Sequence, residues 1–129
     1  MRYQEKVRAY FDAWLRRDAD VLPALFADDA VYSECYGPEY HGLRQIQRWF
    51  AAWNLRGTVL VWDIKNVIES GSTCCVEWFF RCRYDGEEGG FDGVSWIEWN
   101  EAGRIAALRE FQSKAEHVCP FEEVGYEGA

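Results

Sequence analysis

The hydrophobic pattern of this chain changes from a helical period to a period of two near Thr58, and that change constrains the fold more than any other feature. Before it, apolar side chains recur every three to four positions, which predicts two amphipathic helices, over residues 3–17 and 43–55. After it, apolar and polar side chains alternate, which predicts four strands, over residues 58–69, 73–85, 91–100 and 104–114. Turn-forming glycines separate these strands, so we expect an antiparallel meander.

Shorter elements lie between the two helices. Asp20 is a typical helix N-cap and Pro23 is tolerated in a first turn, so we expect a short helix that ends at Asp28 and Asp29. Residues 30–36 then predict a strand. The element order predicts an α+β fold in which three N-terminal helices pack on a curved, mainly antiparallel sheet and leave a conical cavity between the layers. We expect one domain over residues 1–119 and an acidic tail over 120–129.

Composition and charge narrow the classes of partner. Of the 129 residues, 49% are hydrophobic and 17% aromatic, which is enough for a core with a cavity lined by apolar side chains. A net charge of -8 argues against nucleic acid and anionic lipid. The sequence contains no apolar run long enough to span a membrane and no apolar signal segment, so we expect a cytoplasmic protein.

Cysteine and histidine usage argues against a metal site. The five cysteines show no C-x-x-C spacing, and an odd number of them favours reduced, structural thiols. The two histidines, His41 and His117, lie far apart in the sequence. We therefore predict no zinc site and no other metal or cofactor.

Glu34 is a single carboxylate within the run over residues 26–37, and the chain beyond it is rich in tryptophan. Apolar surroundings raise the pKa of a carboxylate and let it transfer protons near neutral pH. The alternative is a Glu34 that faces solvent or forms an ion pair. Four aromatic residues could likewise be ordinary core or could stack on a flat ligand: Trp53, Trp62, Trp78 and Phe80.

The alternation within the strands indicates which faces are buried. In the strand over residues 73–85, the face with Trp78 and Phe80 carries no charge, which predicts that it points inward. In the strand before it, Leu60, Trp62 and Ile64 are expected to point inward. The last two strands are ambiguous. Periodicity leaves open whether Glu110 lies inside or forms a salt bridge to Arg81 or Arg83.

Three stretches resemble the nuclear transport factor 2-like superfamily, and most of all its SnoaL-like and ketosteroid-isomerase-like branch. They are the Ala-Asp-Asp-Ala of residues 27–30 before a strand, the loop over residues 39–42, and the hairpin over residues 98–105. The resemblance covers residues 3–114 in element order. It implies a conical α+β fold, a deep cavity for a small apolar or aromatic ligand, and a homodimer through the outer face of the sheet.

The resemblance also implies roles for individual residues. Glu34 stands where the isomerases hold their aspartate base, and Tyr10 stands at the spacing of the tyrosine that donates to the enolate oxygen. Glu110 stands where the polyketide cyclases hold an acid/base aspartate, which points Leu108 and Gln112 inward with it.

Other positions depart from the family pattern. Ser95 stands where the isomerases keep a protonated aspartate, and a hydroxyl is a weaker oxyanion donor. Trp78 and Phe80 stand where limonene-epoxide-hydrolase-like members carry an Arg-x-Asp pair, which argues against that chemistry. His41 is expected near the mouth of the cavity.

The sequence thus predicts a cofactor-independent acid/base enzyme of isomerase or polyketide-cyclase type that acts on an apolar carbonyl compound. Glu34 would abstract a proton, Glu110 would return one or position water, and Tyr10 would stabilise the oxyanion. Two alternatives stay open: a non-catalytic module that binds a small ligand in the same cavity, and a structural dimer whose cavity is filled by side chains.

Overall fold

The computed structural model describes residues 2–114 and 116–121. Three α-helices are present in this part of the chain: α1 (Tyr3–Arg16), α2 (Leu22–Leu25) and α3 (Leu43–Arg56). A 3-10 turn, Ala19–Val21, precedes α2. The strands are β1 (Phe26–Ser33), β2 (Glu39–His41), β3 (Gly57–Ser70), β4 (Thr73–Tyr84), β5 (Glu87–Trp99) and β6 (Ile105–Ser113). No helix in the described ranges is long and apolar enough to cross a membrane.

The six strands form one mixed sheet in the order β2-β1-β6-β5-β4-β3. The last four strands are the expected antiparallel meander. β1 pairs in parallel with β6, which is the last strand of the meander, and this pairing places Tyr32 opposite Leu108. The structure confirms the α+β class, with three α-helices on the sheet. Only α1 and α2 precede it, because α3 follows β1 and β2 in the chain.

The core lies between the helices and one face of the sheet. α1 packs on β3 and α3 packs on β1, because each helix buries the apolar stripe of its sequence. Val7 and Phe11 of α1, Ile46 and Phe50 of α3, and Trp78 of β4 are all buried.

Several details of the region between α1 and α3 differ from the sequence prediction. The side chain of Asp18, not Asp20, caps the helical turn, since its carboxylate accepts from the Asp20 N–H at 3.0 Å. Asp28 and Asp29 do not end a helix; they are exposed residues within β1. The strand therefore starts and ends earlier than predicted, and Glu34 follows its last residue instead of lying within it.

The strand residues that are buried are mostly those that the alternation of the sequence predicts. The uncharged face of β4 points inward, with Cys74, Val76 and Trp78 buried. In β3, Val59 takes the buried position expected for Leu60. The reason is a β-bulge: the register shifts between Val59 and Val61, so one extra residue reverses the faces before it.

Candidate active site

A cavity of about 350 Å³ opens between the helices and the inner face of the sheet. Most of its wall is aromatic: Trp14, Tyr36, Trp49, Trp53, Trp62, Trp78, Phe80, Tyr84 and Phe91. The rest comprises two carboxylates, two thiols and one aliphatic residue: Glu34, Glu110, Cys35, Cys82 and Val59. Among these lining residues none is positively charged.

Glu110 lies on β6 opposite Ser95 of β5 and faces this cavity. The pKa of Glu110 is raised to about 8, mainly by burial and in smaller part by the nearby Glu34 carboxylate. Hydrogen bonds from the Tyr32 hydroxyl and from the main-chain N–H of Cys35 oppose that rise. The carboxyl group is therefore mostly protonated at pH 7. The alternative salt bridges do not form, since Arg81 and Arg83 both pair with Glu88, on the exposed surface.

Two buried tyrosines stand behind Glu110. The hydroxyl of Tyr10 donates to the hydroxyl of Tyr32 at 2.7 Å, and the hydroxyl of Tyr32 donates to Glu110 Oε2. Burial raises the pKa of both tyrosines well above the usual value, so both remain neutral donors. Tyr10 itself does not line the cavity, and its hydroxyl is already engaged by Tyr32. Any effect of Tyr10 on a ligand would pass through Tyr32 and Glu110.

Glu34 is held by a turn that follows β1. Its main-chain N–H donates to the carbonyl of Pro38 at 2.9 Å, and its carbonyl accepts from the N–H of Gly37 at 3.2 Å. The hydroxyl of Tyr40 donates to Glu34 Oε1, and the Tyr40 ring stacks on Trp49 at 4.7 Å. Burial raises the pKa of Glu34, and the bond from Tyr40 opposes the rise. Glu34 is less deeply buried than Glu110, so its pKa rises less.

The other predicted ligand-binding residues divide into two groups. Four line the cavity: Trp53, Trp62, Trp78 and Phe80. Four do not: Ser95, Leu108, Gln112 and His41. Ser95 and Leu108 are fully buried behind the wall, and Ser95 Oγ accepts from Trp78 Nε1 at 2.9 Å, which orients that indole. His41 is exposed on β2, and its Nε2 atom lies 3.0 Å from Glu39 Oε1.

Sequence reasoning missed several site residues, and some of them carried a detectable signal. Trp14 and Trp49 stand on the apolar faces of the two long helices, which predicts that they are buried. Since the cavity lies next to the core, the same signal could have identified them as lining residues. Tyr32 follows the alternation of β1. Nothing in the sequence pairs Tyr40 with Glu34, because a short strand in the loop brings them together.

Residues 2–114 and 116–121 hold no group of three or more His, Cys, Asp or Glu side chains that could bind a metal ion. The carboxylates and the thiols of the cavity thus form no such cluster. What the cavity does combine is two carboxyl groups of unequal pKa, each with a tyrosine donor, and a wall of aromatic rings.

Solved structures share this fold at low sequence identity. A candidate polyketide cyclase from Pseudomonas putida has a TM-score of 0.78 at 19% identity, over 88% of this chain and 92% of that one. An LEH-like epoxide hydrolase from M. tuberculosis has a TM-score of 0.77 at 20% identity, over 86% of this chain and 82% of that one.

A protein with a ketosteroid isomerase-like fold from Catenulispora acidiphila, solved in complex with trimethylamine, scores 0.76 at 21% identity, over 84% of this chain and 85% of that one. No curated protein matches the chain. The family model described as SnoaL-like domain matches residues 7–108, which is most of the sequence. The chain therefore belongs to the SnoaL-like family of the nuclear transport factor 2-like superfamily.

Proposed function

We propose that the protein is an acid/base enzyme of isomerase or polyketide-cyclase type that acts on an apolar carbonyl compound. One observation carries this proposal: two carboxyl groups with separated pKa values, Glu34 and Glu110, open into the same aromatic cavity. Environments that push apart the pKa values of two neighbouring acids allow one to act as the base and the other as the acid. This chemistry needs no metal and no organic cofactor.

Glu34 is the base in this scheme. Its carboxylate removes a proton from the carbon next to the substrate carbonyl. The electron pair of that C–H bond forms a C=C bond, and the π pair of the C=O bond moves onto the oxygen. Glu110 is protonated at pH 7 and donates to the developing oxyanion. A donor of this kind in a dry site lowers the activation free energy by about 3 kcal/mol. In a substrate with a C=C bond conjugated to the enolate, Glu34 returns the proton to the far carbon and completes an isomerisation. In a cyclisation, the enolate carbon attacks a second carbonyl of the same substrate, and the alkoxide that forms takes the proton from Glu34.

The aromatic wall orients the substrate. Trp62 stands nearly perpendicular to Trp78, with an interplanar angle of 86°, and its ring stacks on Phe11 of α1. Rings fixed in this way present flat apolar surfaces that hold a planar substrate without a cost in side-chain entropy. Tyr10 acts as a positioning residue here, because its hydroxyl holds Tyr32 in place to donate to Glu110.

Exchange of carbon-bound protons tests the base directly. 2-Tetralone is a flat bicyclic ketone, and ¹H NMR in D₂O follows the loss of its α-protons. We expect the wild-type protein to accelerate the loss and Glu34→Gln to slow it by about 100-fold or more. Glu98→Gln is the matched control, since Glu98 is exposed on β5. Full exchange activity in Glu34→Gln would contradict the proposal.

A non-catalytic module that binds a small ligand is the second candidate. It is favoured by the position of Tyr10, whose hydroxyl is bonded to Tyr32 and does not line the cavity. The Catenulispora protein of similar fold was solved in complex with the small amine trimethylamine, which is also consistent with a role in binding a small ligand. A ketone that binds without any exchange of its α-protons would favour this candidate. A structural dimer with a filled cavity is the least favoured, because the cavity has about 350 Å³ of open space.

The resemblance to the family also leads us to propose a conical, cytoplasmic homodimer. Trp96 and Phe111 support such an assembly, since both are exposed on the outer face of the sheet, at 40% and 54%. Sedimentation equilibrium measures the assembly. A monomer at micromolar concentration would refute it.

A further inference from the structure

The cavity contains carboxylates without a cationic partner. Buried carboxylates in proteins are normally paired with a positive charge. Here the partners of Glu110 are the hydroxyl of Tyr32 and the N–H of Cys35, and the partner of Glu34 is the hydroxyl of Tyr40. In the described part of the chain, no ion pair includes either carboxylate. A cationic ligand would supply the missing charge.

Aromatic rings meet at steep angles around this cavity. Trp14 is nearly perpendicular to Trp53, at 88°, and Trp62 is steeply inclined to both Trp78 and Phe80, at 86° and 77°. Rings arranged as adjoining walls of a box can present several π faces to one ligand. The π face attracts a cation that lies within about 6 Å of the ring centroid, and tryptophan does so most strongly.

Two cations lie near rings of the cavity wall, and both belong to exposed side chains. Lys114 Nζ lies 6.0 Å from the centroid of the Tyr36 ring, and Arg56 Cζ lies 5.3 Å from the centroid of the Tyr84 ring, where Arg56 is paired with Asp85. The other titratable groups that face Glu110 come from α1, β1, β2 and the turn after β1: Tyr10, Tyr32, Tyr40, Glu34, Cys35 and Tyr36. Burial raises the pKa of Cys35 to about 12 and raises the pKa of each tyrosine, so these groups stay neutral below pH 9. Burial also raises the pKa of Cys82, the second thiol in the wall.

We propose that this cavity binds a small organic ammonium ion, with its alkylated nitrogen between the tryptophan faces and its charge next to Glu110. The inference goes beyond the proposed function, because binding of the cation requires no turnover. The ligand is selected by its charge and by its apolar shell together. A metal ion or a bare ammonium ion has no apolar shell and should bind far more weakly.

A proton must leave the cavity when the cation binds at neutral pH. The pKa of Glu110 is raised to about 8, so the carboxyl group is neutral at pH 6 and must ionise to pair with the ligand. Linkage of one proton changes the affinity by about tenfold per pH unit below that pKa. Affinity for the ammonium ion should therefore rise between pH 6 and pH 8.5.

Choline and 3,3-dimethyl-1-butanol form a matched pair of probes, because they have the same shape and differ in charge. Quenching of tryptophan fluorescence reports binding of both. We expect choline to bind at least tenfold more tightly than the alcohol at pH 8.5, and within about threefold of it at pH 6. Glu110→Gln should bind choline equally at both pH values. Glu98→Gln, an exposed control, should behave as the wild type does.

Equal affinity for the two probes at pH 8.5 would overturn the inference, and so would binding of neither. Retention of the wild-type pH dependence in Glu110→Gln would overturn the role of that carboxylate. These failures are distinguishable from failure of the proposed function, since the exchange assay uses a neutral ketone. A protein that exchanges ketone protons but ignores choline is an enzyme whose cavity selects neutral ligands.

Discussion

Replacement of Glu110 by Gln should stabilise the protein at alkaline pH and leave its stability at pH 5 nearly unchanged. Glutamine has the shape of a protonated glutamate and cannot ionise. In the folded protein the pKa of Glu110 is about 8, against an ordinary value of 4.5. The folded state thus binds this proton more tightly than the unfolded chain does. Its contribution to the free energy of unfolding is full below about pH 4.5 and is lost as the pH rises towards about 8.

The size of the effect follows from the two pKa values. Each pH unit between them is equivalent to about 1.4 kcal/mol, so the wild type would lose at most about 5 kcal/mol between pH 4.5 and pH 8 through this group. Glu110 is partly accessible from the cavity, and water that enters would reduce the loss. We therefore expect a difference of about 2–4 kcal/mol between Glu110→Gln and the wild type at pH 8.5.

Urea unfolding at pH 5, 6.5 and 8.5 measures this difference. Glu98→Gln, on the exposed side of β5, controls for the loss of one negative charge. Cysteines of the unfolded chain, with a usual pKa of about 8.5, ionise in part at pH 8.5, but they do so equally in the wild type and in Glu110→Gln, so the difference between the two proteins is unaffected. A stability difference between Glu110→Gln and the wild type that stays constant from pH 5 to pH 8.5 would refute the reasoning. It would mean that Glu110 is solvated and that the cavity does not tune it.

Two further substitutions test the site and its scaffold. Tyr40→Phe removes the hydrogen-bond donor to Glu34, so the pKa of Glu34 should rise. In a plot of the exchange rate against pH, the acidic limb should therefore move to higher pH. An acidic limb that does not move would show that Tyr40 has no part in the site. Gly93→Ala should cost about 1–3 kcal/mol of stability, because its Cβ would lie 2.3 Å from Trp78 Cη2. Gly89→Ala is the control in urea unfolding, since its Cβ meets nothing within 4 Å; equal stability of the two variants would contradict the close approach.

The fold followed from local patterns to a large extent. The change of period near Thr58 located the meander, since alternation over long strands has few other interpretations, and the bounds of α1 and α3 agree within one or two residues. The bulge in β3 was not detectable, because both Val59 and Leu60 are apolar and pairing with β4 decides between them. The early end of β1 was missed for a similar reason, as β-propensity continues past Ser33 through Cys35 and Tyr36.

The composition of the site could be predicted from the sequence only in part. The resemblance pointed Glu34 and Glu110 towards one cavity, and the structure places both in its wall. Tyr10 was expected at the ligand because its spacing matched. The parallel pairing of β1 with β6 instead inserts Tyr32 between Tyr10 and Glu110, and no local signal describes contacts between residues so far apart in sequence. The catalytic role of all three residues stays a prediction.

The amino-acid sequence by itself determined the class of the fold and the supply of aromatic rings and acids, because periodicity, turn residues and composition are local properties of a chain. Tertiary structure alone decided which of these groups share a cavity and which hydrogen bonds they accept. Burial and neighbouring donors set the pKa of a carboxyl group, and both arise only when distant strands come together. Glu110 shows this most clearly: its residue type is written in the chain, but the neutral state that makes it an acid at pH 7 depends on the walls around it.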